Sequence, residues 1–87
     1  MSIIRNDTEI LIGTNIRCIR KAKHIGQTEL VTMVQLQGVN LTRETLVKIE
    51  RNTQHIKASQ LRAIRNALQT TYDELLRECP TSVSLDD

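Results

Sequence analysis

The 87-residue sequence predicts a single all-α domain, folded as a compact bundle of five helices. Three observations predict this class. Apolar residues recur at spacings of three and four, and short polar or glycine-containing segments separate these stretches. Tyr72 is the one aromatic residue of the chain, whereas a β-sandwich would use many. With 39% hydrophobic residues, the core must be small and aliphatic.

The first two helices are separated by the break at residues 24–26. The first is predicted over 11–23 and the second over 27–36, with Gly38 well placed to end the second. Each carries apolar residues on one face. These residues are Ile12, Ile16, Ile19, Leu30, Val31 and Val34.

The third helix is predicted from residue 42 to about residue 51. Thr42 is a favourable N-cap, and Leu41 with Leu46 forms the apolar pair that often flanks such a cap. Arg43 then occupies the first helical position, where a cation costs a few tenths of a kcal/mol against the helix dipole. A side chain that is unfavourable for the helix is therefore a candidate for another role.

The last two helices follow in quick succession. The fourth is predicted over 58–68, although Lys57-Ala58 is a weak helix start. The fifth begins after Thr71, whose spacing to Glu74 matches a capping box, and it must stop before Pro80. The predicted organisation is therefore a partly ordered arm (1–10), a helical domain (11–77) and an acidic, flexible tail (78–87).

Charge is distributed unevenly along the chain, although its formal total is only +2. Residues 10–72 carry a net charge of +7, and residues 73–87 carry −4. A basic body with an acidic tail is typical of a domain that binds a polyanion. A solvated charged surface explains the same distribution equally well.

Several function classes find no support in the residues. His24 and His55 fall in predicted loops without a partner at metal-ligand spacing, so no metal, cofactor or catalysis is expected. Cys18 and Cys79 are too few for a disulfide framework, and no apolar run is long enough for a membrane span or a signal peptide. We therefore expect a protein of the reducing cytoplasm, with no membrane partner.

The second and third helices carry the most informative polar residues. Helix N-termini present backbone N–H groups and a positive dipole end, both of which suit phosphate oxygens. Arg43, Glu44, Val47 and Lys48 lie off the apolar stripe of the third helix. Arginine matches the major-groove edge of guanine, and a helix fits that groove. An ordinary solvated face, with Glu44 and Lys48 paired at i and i+4, is the competing interpretation.

The order of these motifs resembles the phage repressor and Cro type of helix-turn-helix protein, the XRE-like family. IGTNIRCIRKAKHIGQTELVTMV resembles its first two helices, LTRETLVKIERN its recognition helix, and LRAIRNALQTTYDELL its final helices. The resemblance covers residues 12–76. It implies a lambda-repressor-like fold and sequence-specific binding of double-stranded DNA. The connection QLQGVNL departs from the family because it is longer than the usual tight turn.

The resemblance also implies roles for individual residues. The positions that would read bases are Arg43, Glu44, Val47 and Lys48. Those that would contact phosphate are Arg20, Gln27, Thr28, Thr42, Thr45, Arg51, Asn52, Thr53 and Gln54. Arg20 and Glu50 match a pair that links the first and third helices, so Glu50 is expected to be structural.

The expected function is therefore that of a transcriptional regulator, repressor-like and without catalysis, that binds a palindromic site as a homodimer. Tyr72, Leu75, Leu76, Val83 and Leu85 are candidates for the dimer surface. Two related alternatives stay open: an interaction module that uses the same fold to bind a protein, and an antitoxin-like protein with a toxin partner.

Overall fold

The computed structural model describes the backbone of residues 2–77 and the side chains of residues 12–77. All regular secondary structure in this part is helical, which confirms the all-α class. The helices are α1 (Ser2–Ala22), α2 (Gln27–Gln35), α3 (Arg43–Glu50), α4 (Ala58–Leu68) and α5 (Tyr72–Leu76). Residues 78–87, which include the predicted acidic tail, lie outside the described residues.

The helix bounds agree with the sequence except at the amino end. The bounds of α2, α3 and α4 fall within one residue of those predicted. In contrast, α1 begins at Ser2, so residues 2–10 continue the first helix. No glycine or proline interrupts residues 2–12, and nothing in their backbone propensity stops a helix there.

The core is aliphatic and forms where α1 packs on α3, α4 and α5 while α2 packs on α3 and α4. Its buried side chains are Ile16, Leu30, Val31, Val34, Leu41, Leu46, Ile49, Ala63, Ile64, Leu68 and Leu75. Leu75 is completely buried, so it closes the core and is not part of a dimer surface. Tyr72 and Leu76 are exposed, and Val83 and Leu85 lie outside the described residues.

Side-chain caps define where the helices begin. The hydroxyl oxygens of Thr42 and Thr71 accept the backbone N–H groups of Thr45 and Glu74, each at 3.1 Å. These bonds satisfy two of the N–H groups that a helix start leaves without an internal partner. The weak start of α4 is stabilised by a different bond, in which the Gln60 side-chain oxygen accepts the N–H of Lys57 at 3.0 Å.

One glycine allows α1 to approach α3 closely. A Cβ atom built on Gly13 would lie 2.1 Å from the carbonyl oxygen of Ile49 and 2.4 Å from the side-chain oxygen of Asn52. Contacts this short do not occur for real Cβ atoms, so the backbone of α1 at this point sits against the end of α3. Gly13 therefore fixes how closely these two helices pack.

Cys18 is disulfide-bonded in the structure. Cys79 lies outside the described residues. Within the described part of the chain, no helix combines the length and apolar character that crossing a bilayer requires.

Candidate nucleic-acid interface

The outward face of α3 carries the four residues predicted to read bases. Arg43, Glu44 and Lys48 are exposed, and Val47 is half-buried at the edge of the face. The opposite side of the helix is fixed in the core, so these side chains cannot rotate inward. The structure thus places all four on one side of a short, anchored helix.

The competing interpretation of this face was an i,i+4 pair between Glu44 and Lys48. Among the described residues, no ion pair joins these two side chains. The cation of Lys48 is therefore not neutralised by its nearest acidic neighbour on the helix. Charges on an exposed face without such a partner are available to a ligand.

The carboxyl end of α3 is fixed to α1 through a buried ion pair. Glu50 accepts from Arg20 twice, from Nε at 2.7 Å and from Nη2 at 3.0 Å. Glu50 also accepts from the side-chain nitrogen of Gln27 at 3.1 Å, and Arg20 Nη1 donates to the carbonyl of Ile25 at 2.9 Å. A bidentate arginine–carboxylate pair is directional as well as strong. This network joins α1, the start of α2 and the end of α3.

The network changes what Arg20 and Gln27 can offer to a phosphate. Three of the five N–H groups of the Arg20 guanidinium are already bonded, and its side chain is only 9% exposed. The side-chain nitrogen of Gln27 is occupied by Glu50. The contribution of Gln27 to a phosphate site would therefore come from its backbone N–H at the start of α2. Arg20 is primarily a residue that holds the helices together.

A polar cavity of about 270 Å³ opens beside the start of α2. It is lined by Arg17, Arg20, Lys21 and Gln27. Arg17 and Lys21 were absent from the predicted phosphate set, although their spacing from Arg20 (three residues and one) puts them near its face of α1. Arg17 and Lys21 add basic side chains beside this helix N-terminus, whereas the charge of Arg20 is paired with Glu50.

The hydroxyl groups predicted to contact phosphate differ in how they are used. Thr42 accepts the Thr45 N–H and donates its own proton to the Thr45 hydroxyl at 3.0 Å. These two threonines form the cap of α3. Thr28 is exposed at the start of α2, and its carbonyl accepts from the Thr32 hydroxyl at 3.1 Å. Thr28 is thus exposed and lies outside the α3 cap.

The loop after α3, residues 51–54, is exposed but held in a defined conformation. Both the backbone N–H and the hydroxyl of Thr53 donate to the carbonyl of Lys48, at 2.9 and 3.1 Å. Asn52 adopts a left-handed backbone with φ of 62°, common where a helix ends, and its side chain donates to the Thr14 hydroxyl at 3.1 Å. Arg51 and Gln54 are left at the surface of this loop.

Comparison of the chain with protein-family models, curated proteins and solved structures found no match. Among the described residues, no three His, Cys, Asp or Glu side chains lie close enough to share a metal ion. The functional interpretation therefore depends on the geometry above and on the resemblance of the sequence motifs.

Proposed function

We propose that this chain is a sequence-specific, double-stranded DNA-binding transcriptional regulator, repressor-like and without catalytic activity. One observation carries the proposal. The exposed face of α3 presents Arg43 and Lys48 to solvent, and a cavity lined by Arg17, Lys21, Gln27 and the Glu50-paired Arg20 lies at the start of the neighbouring helix α2. A helix that can enter a groove, next to a site for phosphate, matches the two requirements of DNA recognition.

The two surfaces would make different contributions to DNA binding. Cations and helix N-termini bind phosphates regardless of sequence, and this contribution weakens as salt is added. Side chains on the inserted helix distinguish base pairs through their edges in the major groove. Arg43, Glu44, Val47 and Lys48 are assigned to base reading. Arg17, Lys21, Thr28, Arg51 and Gln54, with the backbone N–H groups that begin α2, are assigned to phosphate.

A domain of this size covers little DNA, so two copies on a palindromic site are the expected binding unit. We place this function in the cytoplasm.

The first test is the dependence of DNA affinity on salt. A duplex recovered by selection from random sequences, and a scrambled version of it, are titrated with the protein between 50 and 200 mM salt, roughly the range over which phosphate contacts weaken strongly. We expect the logarithm of the association constant to fall linearly with the logarithm of salt concentration for both duplexes. Absence of binding to any duplex at low salt would rule out the proposed function.

The second test concerns base reading by Arg43. Arg43→Ala should cost about 1–3 kcal/mol of discrimination at one base pair of the selected site and leave affinity for scrambled DNA little changed. Arg62→Ala is a matched control, because Arg62 is an exposed arginine on α4. A loss of equal size on both duplexes would show that Arg43 contacts phosphate and not a base.

The third test concerns the basic cavity. Lys21→Gln should weaken binding to the selected and scrambled duplexes by the same factor and reduce the salt slope by about 1, as expected for one lost phosphate contact. Gln27 is unsuitable for this purpose, because its side chain also supports the buried Glu50. An unchanged salt slope would remove the cavity from the DNA-contacting surface.

A protein partner is the second candidate function, and exposed apolar side chains favour it. Leu36 is 82% exposed, Leu76 52% and Tyr72 42%. An interaction module or an antitoxin-like protein would use such residues to bind another protein. Binding to a protein partner together with no affinity for DNA at low salt would favour this function over the first.

A further inference from the structure

The connection between α2 and α3 is longer than a tight turn and bends at a glycine. It covers residues 36–42, and Gly38 lies within it with a φ of 84°, a left-handed conformation that favours glycine. Seven residues could leave the start of α3 loosely held. The structure instead bonds this segment to its surroundings at several points.

Gln37 makes the link between this connection and α4. Its side-chain nitrogen donates to the carbonyl of Ala63 at 2.9 Å, and its side-chain oxygen accepts from the side-chain nitrogen of Asn66 at 3.1 Å. Both partners belong to α4, which packs mainly on α2. One exposed side chain thus uses both ends of its amide group to attach the connection to a third helix.

Two further glutamines hold the residues that lead into α3. Gln35 donates to the carbonyl of Leu41 at 2.8 Å, and Gln60 donates to the carbonyl of Asn40 at 3.3 Å. Leu41 itself is buried in the core. The path of the chain from Gln37 to Leu41 is therefore determined by side-chain amide groups from α2 and α4.

The orientation of a short helix depends on where its two ends are held. The eight residues of α3 span about 12 Å, so a displacement of about 1 Å at one end tilts the helix by about 5°. Glu50 holds the carboxyl end through Arg20. The amino end, where Arg43 projects, is held by the connection. Any bond that fixes the connection therefore fixes the angle at which Arg43 is presented.

We propose that Gln37 is a positioning residue that sets the orientation of α3 relative to α4. The effect of Gln37 on base discrimination rests on the proposed function. Gln37 and Asn66 are exposed, and the buried carbonyl of Ala63 lies inside α4, where a helical N–H can bond it. Replacing Gln37 should therefore change geometry more than stability. The long connection is then held by its own hydrogen bonds to α4, and it supports the start of α3.

The test uses Gln37→Ala in the full chain. Backbone residual dipolar couplings of residues 43–50, measured with those of α2 and α4, report the orientation of α3 without DNA. We expect the couplings of α3 to change while those of α4 stay as they are. We also expect the ratio of affinities for the selected and scrambled duplexes to fall about tenfold, the size of one misplaced base contact, with affinity for scrambled DNA within about twofold.

Three comparisons make the result specific. Gln37→Glu keeps an acceptor for Asn66 but sets a carboxylate oxygen against the carbonyl of Ala63, so it should change the couplings at least as much as Gln37→Ala. Asn66→Ala removes one of the two bonds and should have an effect between the wild type and Gln37→Ala. Thr32→Ala removes an exposed hydroxyl that bonds only within α2, and should change neither the couplings nor the ratio.

Unchanged couplings of α3 in Gln37→Ala would overturn the positioning role. Changed couplings with an unchanged affinity ratio would overturn its link to base discrimination. If the wild-type protein binds no DNA at low salt, the proposed function fails, and the couplings alone still decide whether Gln37 orients α3.

Discussion

Glu50→Ala should lower the free energy of unfolding by about 3–5 kcal/mol, because it leaves the buried guanidinium of Arg20 without its counter-charge. The same substitution removes the acceptor of the Gln27 side chain. Domains of this size are stable by roughly 4–13 kcal/mol, so the loss is a large share of the total. We expect the variant to be only marginally folded at 37 °C.

Urea unfolding followed by circular dichroism would measure the effect. Glu44→Ala is the matched control, since Glu44 is an exposed glutamate on the same helix and its loss should change stability by no more than about 0.5 kcal/mol. A second variant, Arg20→Met with Glu50→Leu, removes both charges and should be more stable than Glu50→Ala. Equal stability of Glu50→Ala and Glu44→Ala would show that the pair does not hold the helices together.

Gly13→Ala should destabilise the domain by about 2–3 kcal/mol, although the same change inside an exposed helix usually stabilises by about 0.5–1 kcal/mol. The sign is reversed because the added methyl group would meet the backbone carbonyl of Ile49 at 2.1 Å. A backbone carbonyl cannot rotate away as a side chain can, so α1 and α3 would have to separate. Thermal and urea unfolding would both report the loss.

Two comparisons distinguish this clash from other effects. A Cβ atom on Gly26 meets nothing within 4 Å, so Gly26→Ala should cost less than about 1 kcal/mol, from the weaker N-cap alone. Introducing Gly13→Ala into an Asn52→Gly background removes the contact with the Asn52 side chain but keeps the one with Ile49. Full recovery of stability in that background would mean that the carbonyl contact is unimportant.

Much of the fold follows from local signals in the sequence. Thr42 and Thr71 mark the starts of α3 and α5 because a threonine hydroxyl can satisfy a nearby backbone N–H whatever the rest of the chain does. The spacing of apolar residues likewise determines α2 and α4. The start of α1 could not be predicted in this way, because the apolar repeat of residues 12–19 does not say how far the helix extends towards the amino end.

Less of the candidate interface could be predicted from the sequence. The exposed positions on α3 follow from its apolar stripe, and the Arg20–Glu50 pair came from the resemblance. The bond from Gln27 to Glu50 and those from Gln37 to α4 join residues 23 to 29 positions apart through polar side chains. No periodicity encodes such contacts, since many surface glutamines could make them. Their assignment requires the packing of helices in three dimensions.

The network of Arg20, Glu50 and Gln27 also bears on how the domain opens. Because the Glu50 carboxylate joins three helices, α3 cannot unfold without breaking its hydrogen bonds to α1 and α2. Segments joined in this way open together, and their amide hydrogens exchange with solvent at similar, slow rates. A ligand that binds the outer face of α3 would then meet a helix that is already ordered. Little conformational entropy would be lost on binding, so a larger share of the free energy of each contact would contribute to affinity.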